Sequence, residues 1–426
     1  MKNIIHKSKI LIPNEKIDFS KWAVVACDQY TSEEEYWHDV ENIVGEDAST
    51  LNIVLPEVYL DNFETSRTIE KIQKKMLEYK ENILTKSIDG FVYVERTINN
   101  GDIRKGIVAC IDLEDYSYKE GEFPLIRPSE NTIEERIPPR LKVRNKASLE
   151  TPHIMMLIDD DKFEIIEPLS QIKDELVKCY NFDLMKNGGH ITGYEITQDN
   201  IIKDLEQKFI NLANVEKFKS KYKNVKNDKP IAMAVGDGNH SLATAKAYWE
   251  KTKANLNDET LKNHPARYCL VEIVNVHSKS IEIEPIHRVV LGIAEDEFEN
   301  KMEQFFKENK NILNEDIHKF SLVTKLGEKE ISITSPIGAI PVASVEFFLD
   351  DLCSKNKNVK LDYVHGDNTV RKLAKDGAIG IILPEFEKSD LFKGVVLGGV
   401  LPRKTFSMGC ANEKRYYIEC RNIEKT

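Results

Sequence analysis

No stretch of this sequence approaches the roughly 18 consecutive apolar residues that a membrane-crossing helix needs, so a helical span is not expected. No C-x-x-C pair occurs among the seven cysteines, Cys27, Cys110, Cys179, Cys269, Cys353, Cys410 and Cys420. Their odd number and scattered placement argue against a disulfide framework and against a zinc knot, and reduced, buried thiols are the expectation. There is no Lys/Arg block and no helix-turn-helix pattern, and the formal net charge is -11. The chain therefore lacks the electrostatic footprint of a nucleic-acid binder. The opening "MKNIIHKSKILIPNEKIDFSKW" is broken by Lys7, Lys9 and Lys16 and has no apolar core of the secretory kind, which points to a cytoplasmic protein. Internal repeats and low-complexity linkers are also missing.

What is present describes a soluble globular chain. Its 426 residues are 41% hydrophobic and 31% charged, enough for a sizeable core and more than one domain. Helical and strand patterns alternate. "WAVVAC" (22–27) reads as a strand feeding a helix that starts near Thr31 or Ser32, and "RTIEKIQKKMLEYKENIL" (67–84) has helical spacing. "GFVYVERT" and "GDIRKGIVACIDLEDY" read as a hairpin, as do "HIMMLIDD" and "FEIIEPL". Residues 118–152, rich in Pro, Arg and Glu, read as a long functional loop. The fold class is α+β, with a core over 1–293 and a smaller C-terminal α/β region over 294–426 that closes the cleft.

The most informative stretch is "IAMAVGDGNHSLATAKAYWEK" (231–251), an apolar strand that stops on Gly-Asp-Gly-Asn-His before an Ala-rich helix. Gly236 and Gly238 permit a tight reversal that leaves backbone N–H groups free at the helix start, where anions bind. Asn239 and Ser241 lie within that cradle, and Asp237 and His240 flank it as an acid/base or metal-holding pair. The alternative is a capped structural corner.

Four other stretches carry polar groups where a core would exclude them. "NGGHITGY" holds His190. "IRPSENTIEERIPPRLKVR" holds Arg127, Arg136, Arg140, Arg144 and Glu130, and arginine's planar fork suits phosphate or carboxylate as well as internal ion pairs. "EPIHRVV" puts His287 and Arg288 on opposite faces of a strand, and "LDYVHGDNTV" runs from a strand through Gly366–Asp367 into a helix.

Together "GDGNHSLATAK", "CDQYTSE", "IRPSENT", "FDLMKNGGHITG", "PARYCLVEIVN", "EPIHRVV", "DYVHG" and "LPRKTFSMG" resemble the bacterial and archaeal family catalogued as domain of unknown function 1015, in family order from about residue 22 to 420. "GDGNH" also resembles the Asp-Gly-His-His-Arg signature of the ParB/sulfiredoxin-like fold, which includes CTP-binding ParB proteins, sulfiredoxin and the free-serine kinases. Asp237, Gly238 and His240 match that signature, Asn239 replaces its first His, and Ser241 replaces its Arg. The Arg contacts phosphate in those relatives, so either another guanidinium supplies the charge here, with Arg127, Arg140 and Arg144 the candidates, or the nucleotide assignment does not hold.

The resemblance implies a nucleotide-dependent phosphotransferase, a kinase of a small hydroxylated metabolite such as free L-serine. It uses Mg²⁺ held by Asp237 and a nucleoside di- or triphosphate. Asp237 and His240 would be catalytic, with Glu130 the first choice of base and Asp28 the second. Gly236, Gly238, Asn239, Ser241, Arg127, Arg140, His190 and His287 would bind phosphate or nucleotide. The alternatives are a phosphatase acting on phosphoserine or a similar monoester, and a non-catalytic nucleotide-binding regulator.

Overall fold

The computed structural model describes residues 2–60, 65–222, 225, 227–312, 314–402 and 404–424. Residues 223, 224 and 226, within the polar turn expected before the Ile231 strand, and Arg403 of "LPRKTFSMG" lie outside the described residues. The chain divides into two compact units. One comprises residues up to 223, 227–281 and 409–426, and the other is essentially Glu282–Met408. The expected division at 293/294 therefore shifts to 281/282. The expected single C-terminal region is also corrected, because residues 409–426 return to the first unit.

Up to residue 281 the strands of the first unit are β1 (Ile5–His6), β2 (Ser8–Ile12), β3 (Lys86–Thr97), β4 (Ile103–Asp112), β5 (Ile126–Arg127), β6 (Leu149–Glu150), β7 (Met155–Ile158), β8 (Val177–Asp183), β9 (His190–Ile196), β10 (Met233–Asp237) and β11 (Tyr268–Asn275), and the returning strand Arg421–Asn422 pairs with β6. Ten of them make one mixed sheet in the order β5-β10-β7-β11-β4-β3-β9-β8, with β1 added to β4 and β2 to β3. Most pairs are antiparallel, but β5 runs parallel to β10 and β7 parallel to β11.

Side chains of a strand alternate between faces, and both faces here are apolar. Val92, Val94, Val108 and Leu270 join one core with Trp22, Trp37 and Tyr417. Phe91, Tyr93, Ile107, Val271 and Ile273 join the other with Leu242 and Trp249. A sheet covered on both sides accounts for near-continuous apolar runs such as "GIVACI".

Three local expectations are corrected. "WAVVAC" is not a strand of the sheet. Trp22 ends a short helix, Phe19–Trp22, and the buried chain beyond it pairs with no strand of the sheet. Its backbone bonds run to the C-terminal tail, through Tyr417 N to Val24 O (2.8 Å) and Ala26 N to Arg415 O (2.9 Å), and to two nearby residues, through Val24 N to Thr50 Oγ1 (3.3 Å) and Glu57 N to Cys27 O (2.8 Å). "FEIIEPL" forms no strand, because the two edges of β7 are taken by β10 and β11. The segment 118–152 contains a helix, Ile137–Arg144, with Pro138 and Pro139 in its first turn, where the missing N–H costs nothing.

In the second unit an antiparallel six-stranded sheet carries helices Glu295–Glu308, Pro341–Lys355, Asp367–Lys375 and Lys388–Gly398. Among the described residues no helix is long and apolar enough to cross a membrane.

Candidate functional site

Sheet topology gathers the site at one end of the sheet. β5 and β10 are parallel, with Arg127 beside Ala234, so the loop leaving β5 and the turn leaving β10 emerge together. β7 is antiparallel to β10, with Asp237 opposite Met155, so the residues entering β7 arrive at the same place. A register shift between Val235 and Asp237 marks a bulge at Gly236. Gly236 contributes there rather than through a left-handed angle; that angle belongs to Gly238, at φ 80°. A Cβ on Gly238 would sit 3.1 Å from both Cα and Cγ1 of Ile154.

From Gly238 the helix Asn239–Lys253 starts without a side-chain cap, its first turn closed by Leu242 N to Gly238 O at 3.0 Å. The N–H groups of Asn239, His240 and Ser241 thus point out of the helix start, which carries the positive end of the helix dipole.

Asp237 accepts from Gly238 N through Oδ1 (3.1 Å). Its Oδ2 lies 3.2 Å from Lys414 Nζ, yet that approach is not directed as a hydrogen bond and leaves this buried oxygen without one. Asn239 reaches Ser129 Oγ with its Nδ2 (3.3 Å), while its buried Oδ1 has no partner. Glu130 stands on the same loop. Burial, reinforced by the charge of Asp237 and opposed by Lys414, pushes its carboxyl up to about 7.

On the other side of the helix start is His153, 6% exposed. Its Nε2 lies 3.0 Å from Ser241 Oγ and 3.5 Å from Asp28 Oδ2, and its Nδ1 lies 2.7 Å from the Tyr417 hydroxyl. Burial works against its charge but is outweighed, chiefly by Asp28 and then by Asp237 and Glu57, so the imidazole titrates above its usual range. Burial would likewise raise the Asp28 carboxyl, but His153 holds it below the ordinary value. Arg140 pairs with Glu57, and burial followed by the Asp28 charge raises the Glu57 carboxyl. His153, Ser241, Arg140, Glu57 and Tyr417 form the polar wall of a cavity of about 150 Å³.

Several expected site residues take other roles. Arg127 turns back toward the entry of β10: its Nε donates to Pro124 O (3.0 Å) and its NH2 to Lys229 O (2.7 Å). These carbonyls precede the strand, whereas the turn at Gly238 follows it, so these donors face away from the expected phosphate position and leave only the buried NH1 of Arg127 without a partner. Arg144 is paired with Glu150 at 2.5 Å.

His190 lies on β9, five strand positions from β10, or roughly 24 Å at the usual spacing. Its contacts there are Asp183 (2.7 Å) and Asn181 (3.1 Å). His287 belongs to the second unit, where Nε2 meets Asp367 (3.0 Å) and Nδ1 accepts from Leu383 N (3.2 Å).

His240 is at the cradle but not as an acid. Its Nε2 accepts from Ile133 N (3.2 Å), and burial, followed by the charges of Arg140 and Arg136, lowers it to about 4. It is therefore uncharged at neutral pH and fastens the Glu130 loop to the corner.

The residues that the motifs did not reveal are His153, Glu57, Tyr417 and Lys414. Arg140, whose charge is felt at His240, lines the cavity with Ser241, and Lys414 places a cation beside this helix start. Two buried arginines fix its backbone: Arg96 NH1 donates to Lys414 O (2.7 Å) and Arg104 NH1 to Glu413 O (2.9 Å). A lone Lys in "NEKRYYIEC" carries no spacing signal; only its place before a deeply buried run marks it.

Among the described residues no group of three or more His, Cys, Asp or Glu side chains could hold a metal by itself. A hard cation that keeps most of its ligands from phosphate and water needs only one or two carboxylates. The unbonded Oδ2 of Asp237 offers one, with Glu130 close enough to feel its charge. Cys27 lines the cavity, but burial and the charge of Asp28 push its thiol far above the usual range, so it is no nucleophile.

The family described as "Protein of unknown function (DUF1015)" matches residues 11–351. A search of curated proteins found no match. Among solved structures the chain is similar to a variant free serine kinase in complex with ADP, at 12% identity and a TM-score of 0.36, covering 73% of this chain and 91% of that one. The free serine kinase in complex with AMP gives 11% identity and a TM-score of 0.35, covering 73% and 90%. A conserved hypothetical protein from Pyrococcus furiosus gives 10% identity and a TM-score of 0.32, covering 74% and 95%. Likeness at this level carries no argument about chemistry, which has to be read from the site.

Proposed function

For a chain that belongs to the DUF1015 family of proteins of unknown function, we propose a nucleotide-dependent phosphotransferase that acts on a small hydroxylated metabolite, built on a ParB/sulfiredoxin-like core. One observation carries this reading. Asp28, Glu130, His153, Asp237 and Lys414, from separate segments of the chain, converge on a single uncapped helix start and perturb one another's charge. Carboxylates crowded against a lysine, an imidazolium and free N–H groups suit a polyphosphate, whose charge needs cations and donors in a partly dry cleft.

The N–H groups of Asn239–Ser241 and the ammonium of Lys414 hold phosphate oxygens, and protonated His153 with Ser241 adds donors on the cavity side. Asp237 would hold Mg²⁺, which when bound supplies charge neutralisation to the phosphates. Glu130, poised near neutrality, takes the acceptor's hydroxyl proton. The acceptor oxygen then bonds to the terminal phosphorus. The bond from that phosphorus to its bridging oxygen breaks, and the electron pair leaves with the shortened nucleotide. Free L-serine is one small hydroxylated acceptor to try, and the cavity wall bears on whether a more apolar one is preferred.

A thermal-shift screen with ADP, ATP and pyrophosphate, with and without Mg²⁺, tests the reading. A ligand at about 100 times its dissociation constant stabilises by ~2.7 kcal/mol, so a clear rise in Tm is expected for a nucleotide. Absence of any shift with all three polyphosphates overturns it. Conversion of ATP to ADP that depends on an added hydroxyl compound separates a kinase from a phosphatase.

A further inference from the structure

The cavity beside the cradle is apolar over most of its wall, with Ile53, Val54, Leu55, Met76, Leu149 and Leu270 among its lining residues. We infer that it receives the body of the phosphoryl acceptor, and that this body is an aliphatic group of about six carbons whose hydroxyl end points past Ser241 and His153 toward the helix start. Size sets the carbon number: an apolar cavity of about this volume takes a ligand as large as benzene.

Chemistry decides against a nucleobase in the same space. The polar side chains of the wall are already engaged with one another or with backbone. Arg140 is paired with Glu57, and Arg144 with Glu150. Thr151 Oγ1 donates to Glu419 O (2.9 Å) and Thr244 Oγ1 to His240 O (2.7 Å). Tyr417 is committed to His153. Among the described lining side chains only Arg144 Nε is a buried polar atom without a partner. A purine brings several donors and acceptors on its edges, and most would be buried unpaired. An alkyl body loses nothing there and can carry one interior acceptor toward Arg144.

At the polar wall, Ser241 Oγ and His153 Nε2, 3.0 Å apart, give a hydroxyl two partners. That end adjoins Asp28, and the charge of Asp237 is felt at His153. Body and reacting group are thus sorted to opposite ends of one cavity. That the ligand is an acceptor rests on the phosphotransferase reading; that the cavity takes an alkyl hydroxyl compound does not.

The test is a homologous series of primary alcohols from ethanol to octanol, titrated into the full-length protein and followed by Tm and by NMR shifts. Affinity should improve about fourfold per added methylene and stop improving near six or seven carbons. Ala147→Leu, and the more exposed wall variant Val143→Phe should the first fail to fold, should erase this series while keeping the Tm rise with ADP. Affinity independent of chain length overturns the inference, as does a folded, filled variant that loses ADP. A normal alcohol series in a protein that binds no nucleotide and no pyrophosphate overturns the phosphotransferase reading and leaves the alkyl site standing.

Discussion

In the proposed reaction Glu130 is the residue on which the chemistry turns, because its carboxyl is held near 7 rather than at the ordinary 4.5. Between those two values the folded chain keeps a proton that the unfolded chain has released. The contribution of this group to stability therefore falls as pH rises through that window, by roughly 3 kcal/mol in all, and stays at its lower level above it. Glu130→Gln removes the penalty. Its Tm should exceed that of the native protein at pH 8 and match it at pH 4.5. Turnover should drop roughly 100-fold or more, with loss of the limb that rises with pH through about 7. A variant with full activity and an unchanged pH profile would remove Glu130 from the mechanism. Lys414 and Arg127 make a contrasting pair. Lys414→Met should weaken ADP binding about tenfold or more, the scale of a hydrogen bond to a charged group. Arg127→Met should leave ADP affinity unchanged in calorimetry while lowering Tm, since its donors serve the carbonyls of Pro124 and Lys229.

At the scale of elements, the corner between β10 and the Asn239–Lys253 helix depends on the left-handed Gly238. Gly238→Ala should cost about 1–2 kcal/mol for the backbone alone, more where the new Cβ presses on Ile154, and it should abolish the ADP-dependent rise in Tm. Retained ADP binding in that variant would place the anion elsewhere. This corner was legible in the sequence because strand, turn and helix are contiguous, and local spacing specifies local geometry. So were the β3–β4 hairpin and the strand–Gly366–helix step of the second unit, for the same reason. Glu130 and Asp28 could be named from their surroundings, but not His153 or Lys414, whose roles come from strand order and from a tail that folds back across the sheet. Arg127 misled because composition shows a cation without showing its direction. His190 misled because a turn rich in glycine reads alike at either end of a sheet. "WAVVAC" has the apolar content of a strand, yet pairing needs a strand alongside, and this segment lies against the tail, Thr50 and Glu57 instead.

At the scale of the molecule, the second unit is an insertion: the chain leaves the first unit after Ile281 and rejoins it at Gly409. The returning segment supplies Tyr416, Tyr417, Ile418, Cys420 and Ile423 to the core that holds Trp22 and Trp37. Trp22 Nε1 donates to Ile418 O (2.9 Å), and Arg415 is buried between Glu272 and Glu419. Removal of 409–426 should therefore abolish the cooperative unfolding transition of the first unit. A fragment of 282–408 should still melt as a unit by circular dichroism, and loss of structure in that fragment would show that the insertion depends on its host. The same return path orders events during synthesis. A ribosome delivers Trp22, Asp28 and Asp237 long before Lys414 and Tyr417, so until the returning stretch emerges the core around Trp22 lacks the side chains that stretch supplies. Under the proposed function, nucleotide cannot template this step, because Lys414 is not yet present. A message cut short anywhere before Lys414 yields a chain with an incomplete core and no Lys414 beside the helix start, a species suited to chaperones and proteases rather than to partial activity.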